Sequence, residues 1–281
     1  MRNAAMVAVG ALAIVCPAAA MAAPDLPEVT DAVPGHPGVT YLDLLRQTIP
    51  DLAMNAADQQ VEGHLKSLRH IMGKGAGGDP PDPLVVDFLE VRHIKAGGRP
   101  RLVVLANLGQ AEDSAQSTTL MALFDEAPRP NLLDAVDVGV DKDTSFNEKP
   151  SQIALGPGDD ALVTYSEHGN SNQSYQARLV IYVRGDRFRL IDEVFVLADN
   201  ACGYQREETP AFTTKPATPY ATLEVTVTER LKRLDEDCGD DRAPAPYVHT
   251  YRAAYSWDAA KGAFVEKGDL AKLDKLNRGR F

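Results

Sequence analysis

Apolar and polar residues alternate along most of the chain beyond residue 83. In the clearest case, the run 175–184 has one fully apolar face, and a turn at 185–186 joins it to a second run, 187–197. A period of two is typical of a strand that buries one face, and a two-residue Gly-Asp connection is typical of a β-hairpin. The same pattern predicts further strands at 84–95, 101–108, 118–125, 132–140, 151–155, 160–167, 221–228, 247–257 and 263–267.

The spacing of these strands indicates the fold class. Most of them are joined by short turns, which leaves no room for the helices that cross between parallel strands. We therefore predict an α+β fold that is predominantly antiparallel β, with about ten strands and a short N-terminal helical segment. A sandwich, a barrel and a strongly curved sheet all fit the pattern. The Thr/Pro-rich stretch between Cys202 and Ala221 breaks the alternation and is predicted to be irregular.

Helical periods occur in the N-terminal part and at the C-terminal end. Thr40 is placed to cap a first helix that reaches Pro50, and a second helix is predicted over 56–72. The Gly/Pro-rich run 73–83 then predicts a flexible joint. Leucines on one face predict a short amphipathic helix at 269–277.

The first residues match the pattern of a secretory signal peptide. Arg2 supplies the positive charge, Ala4–Cys16 forms an apolar stretch, and Ala20–Ala22 fits the A-x-A cleavage pattern. The apolar stretch is shorter than the roughly 20 residues that a membrane-spanning helix needs. We therefore predict cleavage after Ala22 and a periplasmic or secreted mature protein.

Composition divides the mature chain into three parts. They are a Pro-rich leader at 23–38, an N-terminal helical segment with its Gly/Pro joint at 39–80, and a β-rich domain with one disulfide at 81–281. Cys16 leaves with the signal peptide, so the disulfide would join Cys202 to Cys238. The pair lacks the C-x-x-C spacing of a redox or metal motif, which favours a structural bond.

The chain is acidic, with a net charge of −11 that becomes one unit more negative when Arg2 is cleaved off. Nucleic acids and anionic membranes attract basic surfaces, so we expect no nucleic-acid partner and no membrane insertion of the mature form. The sequence does not match the residue spacings of known catalytic, nucleotide-binding or metal-binding motifs, so no catalytic residue, cofactor or metal is predicted.

The acidic stretch 137–148 illustrates how such a motif fails. A calcium-binding EF-hand loop that starts at Asp141 would place Phe146 where the turn glycine belongs. We therefore expect these carboxylates to be solvated at the end of a strand.

One segment between two predicted strands, 166–175, concentrates hydroxyl, amide, imidazole and phenol groups. Such groups hydrogen-bond neutral polyols well, and a tyrosine ring can stack on a sugar face. The candidate ligand-binding residues are His168, Asn170, Asn172, Gln173 and Tyr175. The alternative is a plain hairpin turn, because Gly169, Asn170, Ser171 and Asn172 are also residues that a turn requires.

These observations favour an exported, soluble, non-catalytic envelope protein, a β-rich module that binds a protein partner or a neutral polar ligand. Two alternatives remain open. A secreted hydrolase could assemble its active site from distant residues without a local motif. An acidic inhibitor of a cationic extracellular enzyme would instead use the negative net charge.

Export can be tested through processing of the N-terminus. We expect the exported protein to begin at Ala23, because a cut one residue later would place Pro24 directly after the scissile bond. N-terminal sequencing or the intact mass of the exported protein measures this. Retention of residues 1–22 in the mature form would contradict the prediction.

The cysteine pair predicts a measurable gain in stability. In an oxidising compartment Cys202 and Cys238 should be bonded to each other, closing a loop of 36 positions for which the chain-entropy model gives about 3.8 kcal/mol. Replacing Cys202→Ser should lower the free energy of unfolding by about 2–4 kcal/mol, as measured by denaturant titration. Two free thiols in protein purified from the periplasm would show the pairing to be wrong.

Overall fold

The computed structural model describes residues 26–112, 114–235 and 244–281. Within these ranges it contains sixteen strands in three sheets and two helices. Every pair of these strands is antiparallel. The predicted fold class, predominantly antiparallel β with a short N-terminal helical segment, is therefore confirmed. The predicted signal peptide at 1–22 lies outside the described residues.

Two helices flank the strands along the described chain. The elements are α1 (Tyr41–Leu45), β1 (Ala53–Met54), β2 (Val61–Gly63), β3 (Leu84–Val85), β4 (Phe88–Ala96), β5 (Arg99–Gln110), β6 (Ser117–Asp125), β7 (Leu132–Asp137), β8 (Thr144–Phe146), β9 (Gln152–Ala154), β10 (Asp160–Gly169), β11 (Gln173–Val183), β12 (Phe188–Ala201), β13 (Tyr204–Lys215), β14 (Thr222–Arg233), β15 (Tyr247–Asp258), β16 (Ala263–Gly268) and α2 (Leu270–Arg280). Neither helix of the described part is long and apolar enough to span a membrane.

The prediction of a second helix over 56–72 is wrong. β1, β2 and β3 form a small antiparallel sheet here, and pairing with β3 buries Val61 and Gly63 of β2. A Cβ atom at Gly63 would lie 2.9 Å from Cγ2 of Ile49, so the close packing of β2 requires a glycine. Glycine weakens a helix, and the contact with Ile49 and the pairing with β3 both favour the strand.

The N-terminal part of the described chain packs onto the β structure. Val29 and Val33, within the stretch predicted to be an extended leader, are buried in the first hydrophobic cluster together with α1. Thr40 caps α1 as predicted: its Oγ1 accepts from the Asp43 amide at 3.2 Å, and its own amide donates to the Asp43 carboxylate at 2.9 Å. The helix itself ends at Leu45, earlier than predicted.

The four-stranded sheet, in the order β4-β5-β6-β7, lies between two hydrophobic clusters. Leu102 and Val104 of β5 pack with the N-terminal segment, whereas Val103 and Leu105 pack with residues of β10, β11 and β12. Because both faces of the sheet are buried, β5 carries a continuous apolar run instead of an alternating one.

The nine-stranded sheet has the order β16-β15-β14-β13-β12-β11-β10-β8, with β9 also paired to β10. The hairpin predicted at 175–197 is present as β11 and β12. The prediction that the stretch after Cys202 is irregular is wrong, because 204–215 forms β13 and pairs with β14 over its whole length. Pro210 obscured this strand. Beyond Glu207, β13 pairs with β14 but no longer with β12. A proline has no backbone N–H, and its absence costs little on a side of the strand that has no partner strand.

The pairing between β12 and β13 is incomplete. It covers only 198–201 against 204–207, so most of β12 has no partner on that side. Helix α2 packs against β12 and β15, and Leu273 of α2 is buried in the same cluster as β14. Asn277, which is fully buried, donates its side-chain amide to the Phe195 carbonyl at 3.3 Å and to Glu208 Oε2 at 2.6 Å. Asn277 thus bridges β12 and β13 where their own hydrogen bonds have ended.

The turn between β12 and β13 contains Cys202. The Leu234 amide donates to the Gly203 carbonyl at 2.8 Å, so the chain passes beside this turn four positions before 238. Cys238 itself lies outside the described residues, and its bond to Cys202 stays a prediction.

Two buried carboxylates lie under the end of α2. Glu208 and Glu229 are direct partners across β13 and β14, and their side chains are 0% and 2% exposed. Arg280 Nη1 lies 3.4 Å from Glu208 Oε1 and 2.9 Å from Glu229 Oε1, and Tyr247 donates to Glu229 at 2.9 Å. Burial, with the charge of Glu229 beside it, raises the pKa of Glu208 to about 7.

The raised pKa of Glu208 predicts a pH-dependent stability. Its usual pKa is 4.5, so between that value and about 7 the native protein binds more protons than the unfolded chain. The free energy of unfolding should therefore fall as the pH rises through this window, by up to about 3 kcal/mol from this group. Denaturant titrations at several pH values measure the slope.

Glu208→Gln provides the control for this prediction, because it keeps the shape and removes the titrating group. The stability of the variant should fall less steeply between pH 5 and about 7 than that of the unaltered protein. A variant whose stability changes with pH as steeply as that of the unaltered protein would contradict the assignment to Glu208.

Candidate functional site

The predicted ligand loop forms the tip of the β10–β11 hairpin. Asn170 Oδ1 accepts from the amides of Asn172 and Gln173 at 2.9 and 2.8 Å, and the Asn170 amide donates to the Gln173 carbonyl at 2.8 Å. These bonds are those of a side chain that shapes a turn. Asn170 therefore has the hydrogen bonds expected of a structural turn residue, the alternative weighed for this loop.

A cleft lies between this turn and the neighbouring β12–β13 turn. Its volume is about 280 Å³, and its walls come from 170–174, Ala198, Asn200 and 205–207. The Asn200 amide donates to the Asn172 carbonyl at 2.8 Å and ties the two turns together. Half of the lining residues carry amide side chains: Asn170, Asn172, Gln173, Asn200 and Gln205. We call this site the amide cleft.

Several of these amides are free to bind a ligand. The side chains of Asn172, Asn200 and Gln205 form no hydrogen bond with any other residue in the described part of the chain. Gln173 differs, because its Nε2 donates to the Arg280 carbonyl at 3.1 Å and thereby joins the cleft to the end of α2.

The charges around the amide cleft are largely balanced. Arg206 donates to both carboxylate oxygens of Asp199, at 2.8 and 2.7 Å, so its positive charge is paired. Glu207, which also lines the cleft, is exposed to solvent. A cleft with unpaired amides and a paired cation suits hydroxyl groups better than phosphates, which call for unpaired basic residues.

His168 and Tyr175 belong to a separate group that does not line the amide cleft. His168 Nδ1 lies 3.2 Å from Asp141 Oδ1, and the Tyr175 hydroxyl donates to the other oxygen of Asp141. The two rings stack with their centroids 5.7 Å apart; the Phe195 ring is tilted against Tyr175 and the Phe281 ring stands perpendicular to it, with centroid distances of 5.0 and 4.9 Å. Burial, followed by the bond to Asp141, raises the pKa of Tyr175. The five candidate residues thus divide between a cleft and an aromatic cluster.

The expectation that the acidic stretch 137–148 is solvated is wrong for two of its members. Asp141 is buried beneath His168 and Tyr175, and Asp137 Oδ1 accepts from the amides of Thr119 and Gly139 at 3.0 and 2.9 Å. Among the residues that the structure describes, no group of three or more His, Cys, Asp or Glu side chains could hold a metal ion.

Sequence reasoning missed Asn200 and Gln205, which line the far wall of the amide cleft. They are direct partners in the β12–β13 pairing, whose second strand was predicted to be irregular. The signal that could have found them is the Gly203 turn between two runs of alternating residues. Asp141 was considered only as a calcium ligand, and its contact with the hairpin depends on tertiary packing.

Comparison with protein-family models, with curated proteins and with solved structures found no match for this chain. Its function therefore has to be inferred from the chemistry of the site itself.

Proposed function

We propose that this protein is an exported, non-catalytic envelope protein that binds a neutral polar ligand, such as a glycan, in the amide cleft. The observation that supports this most directly is the group of amides on Asn172, Asn200 and Gln205 around one cavity, none of which has a hydrogen-bond partner among the described residues. Each amide offers both donors and acceptors, which is what neighbouring hydroxyl groups on a sugar require.

The size of the cleft limits the ligand. At about 280 Å³ it lies near the lower end of the range for small-molecule pockets, which runs from about 300 to 1,000 Å³. The ligand portion held there is therefore a small unit, such as one sugar ring at the end or side of a longer chain. The two turns that form the walls end rigid strand pairs, so little ordering is needed on binding.

The hydrolase alternative has less support at this hairpin. The His168–Asp141 contact resembles the pair that orients a general base. However, no serine or threonine hydroxyl in the described part of the chain hydrogen-bonds to the His168 ring, and Asp141 is shared with Tyr175. Because none of these hydroxyls can act as a nucleophile activated by His168, we interpret the contact between His168 and Asp141 as structural.

The amide cleft can be tested with the neutral trisaccharides chitotriose and maltotriose as probes. At least one should bind to the unaltered protein with a dissociation constant of about 1 mM, measured by calorimetry or NMR titration. Combining Asn172→Ala, Asn200→Ala and Gln205→Ala should weaken binding at least about tenfold, because hydrogen bonds to the sugar are lost. The melting temperature should stay unchanged, since these side chains form no hydrogen bond within the part of the chain that the structure describes.

Three control variants separate the cleft from its surroundings. Gln60→Ala removes an exposed amide elsewhere and should change neither binding nor melting. His168→Ala should leave binding intact, because His168 does not line the cleft. Asn170→Ala should lower the melting temperature, because it removes two hydrogen bonds that shape the turn. Binding that survives the triple variant, or no binding of either trisaccharide at about 10 mM, would overturn the proposal.

A further inference from the structure

A second and larger cavity lies further along β11. Its volume is about 550 Å³, and it is lined by the segment 145–149 together with residues of β10 and β11. It contains two acidic and two basic side chains: Glu148, Glu167, Lys149 and Arg178. It carries more charged side chains than the amide cleft, where Arg206 is paired with Asp199.

The hydrogen bonds that hold Arg178 in this cavity go to neutral groups, and the nearby Glu167 carboxylate acts on it through its charge without forming an ion pair. Its Nε donates to Asn147 Oδ1 and its Nη2 to Gln176 Oε1, both at 3.0 Å, and the guanidinium lies 5.0 Å from the centre of the Tyr165 ring. It forms no ion pair with a carboxylate of the described residues, and its buried Nη1 has no hydrogen-bond partner there. Burial lowers the pKa of the Arg178 guanidinium.

An arginine in this state is unusual for an acidic protein. Burying a charge without a counter-ion costs free energy, and a chain with a net charge of −11 has many carboxylates that could have paired with it. Because two amides orient Arg178 and no carboxylate of the described residues lies within ion-pair distance of it, the position is prepared for a carboxylate that comes from outside.

The cavity also contains a fixed negative charge. Glu167 accepts a hydrogen bond from the Tyr165 hydroxyl, which holds its carboxylate beside the Tyr165 ring. Within the described chain Glu167 forms no ion pair with a basic side chain. The residues opposite each other on β10 and β11 include Glu167 and Gln176, so this carboxylate lies one strand away from the group that orients Arg178.

We propose that this cavity binds a zwitterion of the amino-acid type, with its carboxylate on Arg178 and its ammonium group on Glu167. A phosphate or another dianion fits less well, because Glu148 and Glu167 would repel the second negative charge. A neutral sugar would leave both fixed charges unpaired. The cavity volume accommodates the side chain of an amino acid as well as its charged groups.

The test uses L-alanine, L-leucine and L-glutamine as zwitterionic probes, titrated into the full protein by calorimetry. At least one should bind at or below about 10 mM. For that amino acid, the amide derivative, which lacks the carboxylate, and the deaminated acid, which lacks the ammonium group, should each bind at least about tenfold more weakly. The proposal would be overturned if either derivative bound as tightly as the amino acid itself, or if none of the three probes bound.

Variants then assign the binding groups. Arg178→Gln should abolish detectable binding and Glu167→Gln should weaken it at least about tenfold, whereas Arg187→Gln, an exposed arginine outside the cavity, should leave it unchanged. Arg178→Gln removes the hydrogen bonds to Asn147 and Gln176, so a modest fall in melting temperature is expected and the loss of amino-acid binding is the deciding readout. A large loss of thermal stability in Arg178→Gln with amino-acid binding retained would show that Arg178 is structural. Since these variants leave the amide cleft intact, trisaccharide binding should not change.

Discussion

Asn277 donates its side-chain amide both to a carbonyl of β12 and to Glu208 of β13, at the point where these strands have stopped pairing. Without it the Phe195 carbonyl would lose this donor, and buried backbone groups are costly to leave unsatisfied. The same helix places Arg280 against Glu208 and Glu229, which could not both remain charged and buried without a cation. The C-terminal helix thus completes a sheet that its own strands leave open.

Both proposed binding sites depend on how this sheet is arranged. The short β12–β13 pairing places Asn200 beside the β10–β11 turn, and Gln173 joins that turn to the end of α2. One face of β11 carries Ser174, Gln176 and Arg178, which lie two residues apart along the strand. Ser174 lines the amide cleft, whereas Gln176 and Arg178 line the larger cavity. One strand thus carries neutral amide chemistry at its start and a fixed cation further along.

Most of the strands beyond residue 83 and the C-terminal helix could be predicted from the sequence, because alternation and helical period are local properties that burial of one face imposes. Turn chemistry is local as well, which is why the 170–172 turn was recognised and Asn170 could be weighed as a turn residue. The Thr40 cap was predictable for the same reason, since its partner Asp43 is only three residues away.

By itself, then, the sequence determined the antiparallel fold class, most strand positions and the chemical character of the loop. Only the tertiary structure decided that 56–72 forms strand and turn instead of helix, because the packing of Gly63 on Ile49 outweighs local helical preference. It also decided that Asp141 supports His168, and that residues from two separate turns share one cleft. These outcomes depend on contacts between residues far apart in the chain, whose free energies no local pattern contains.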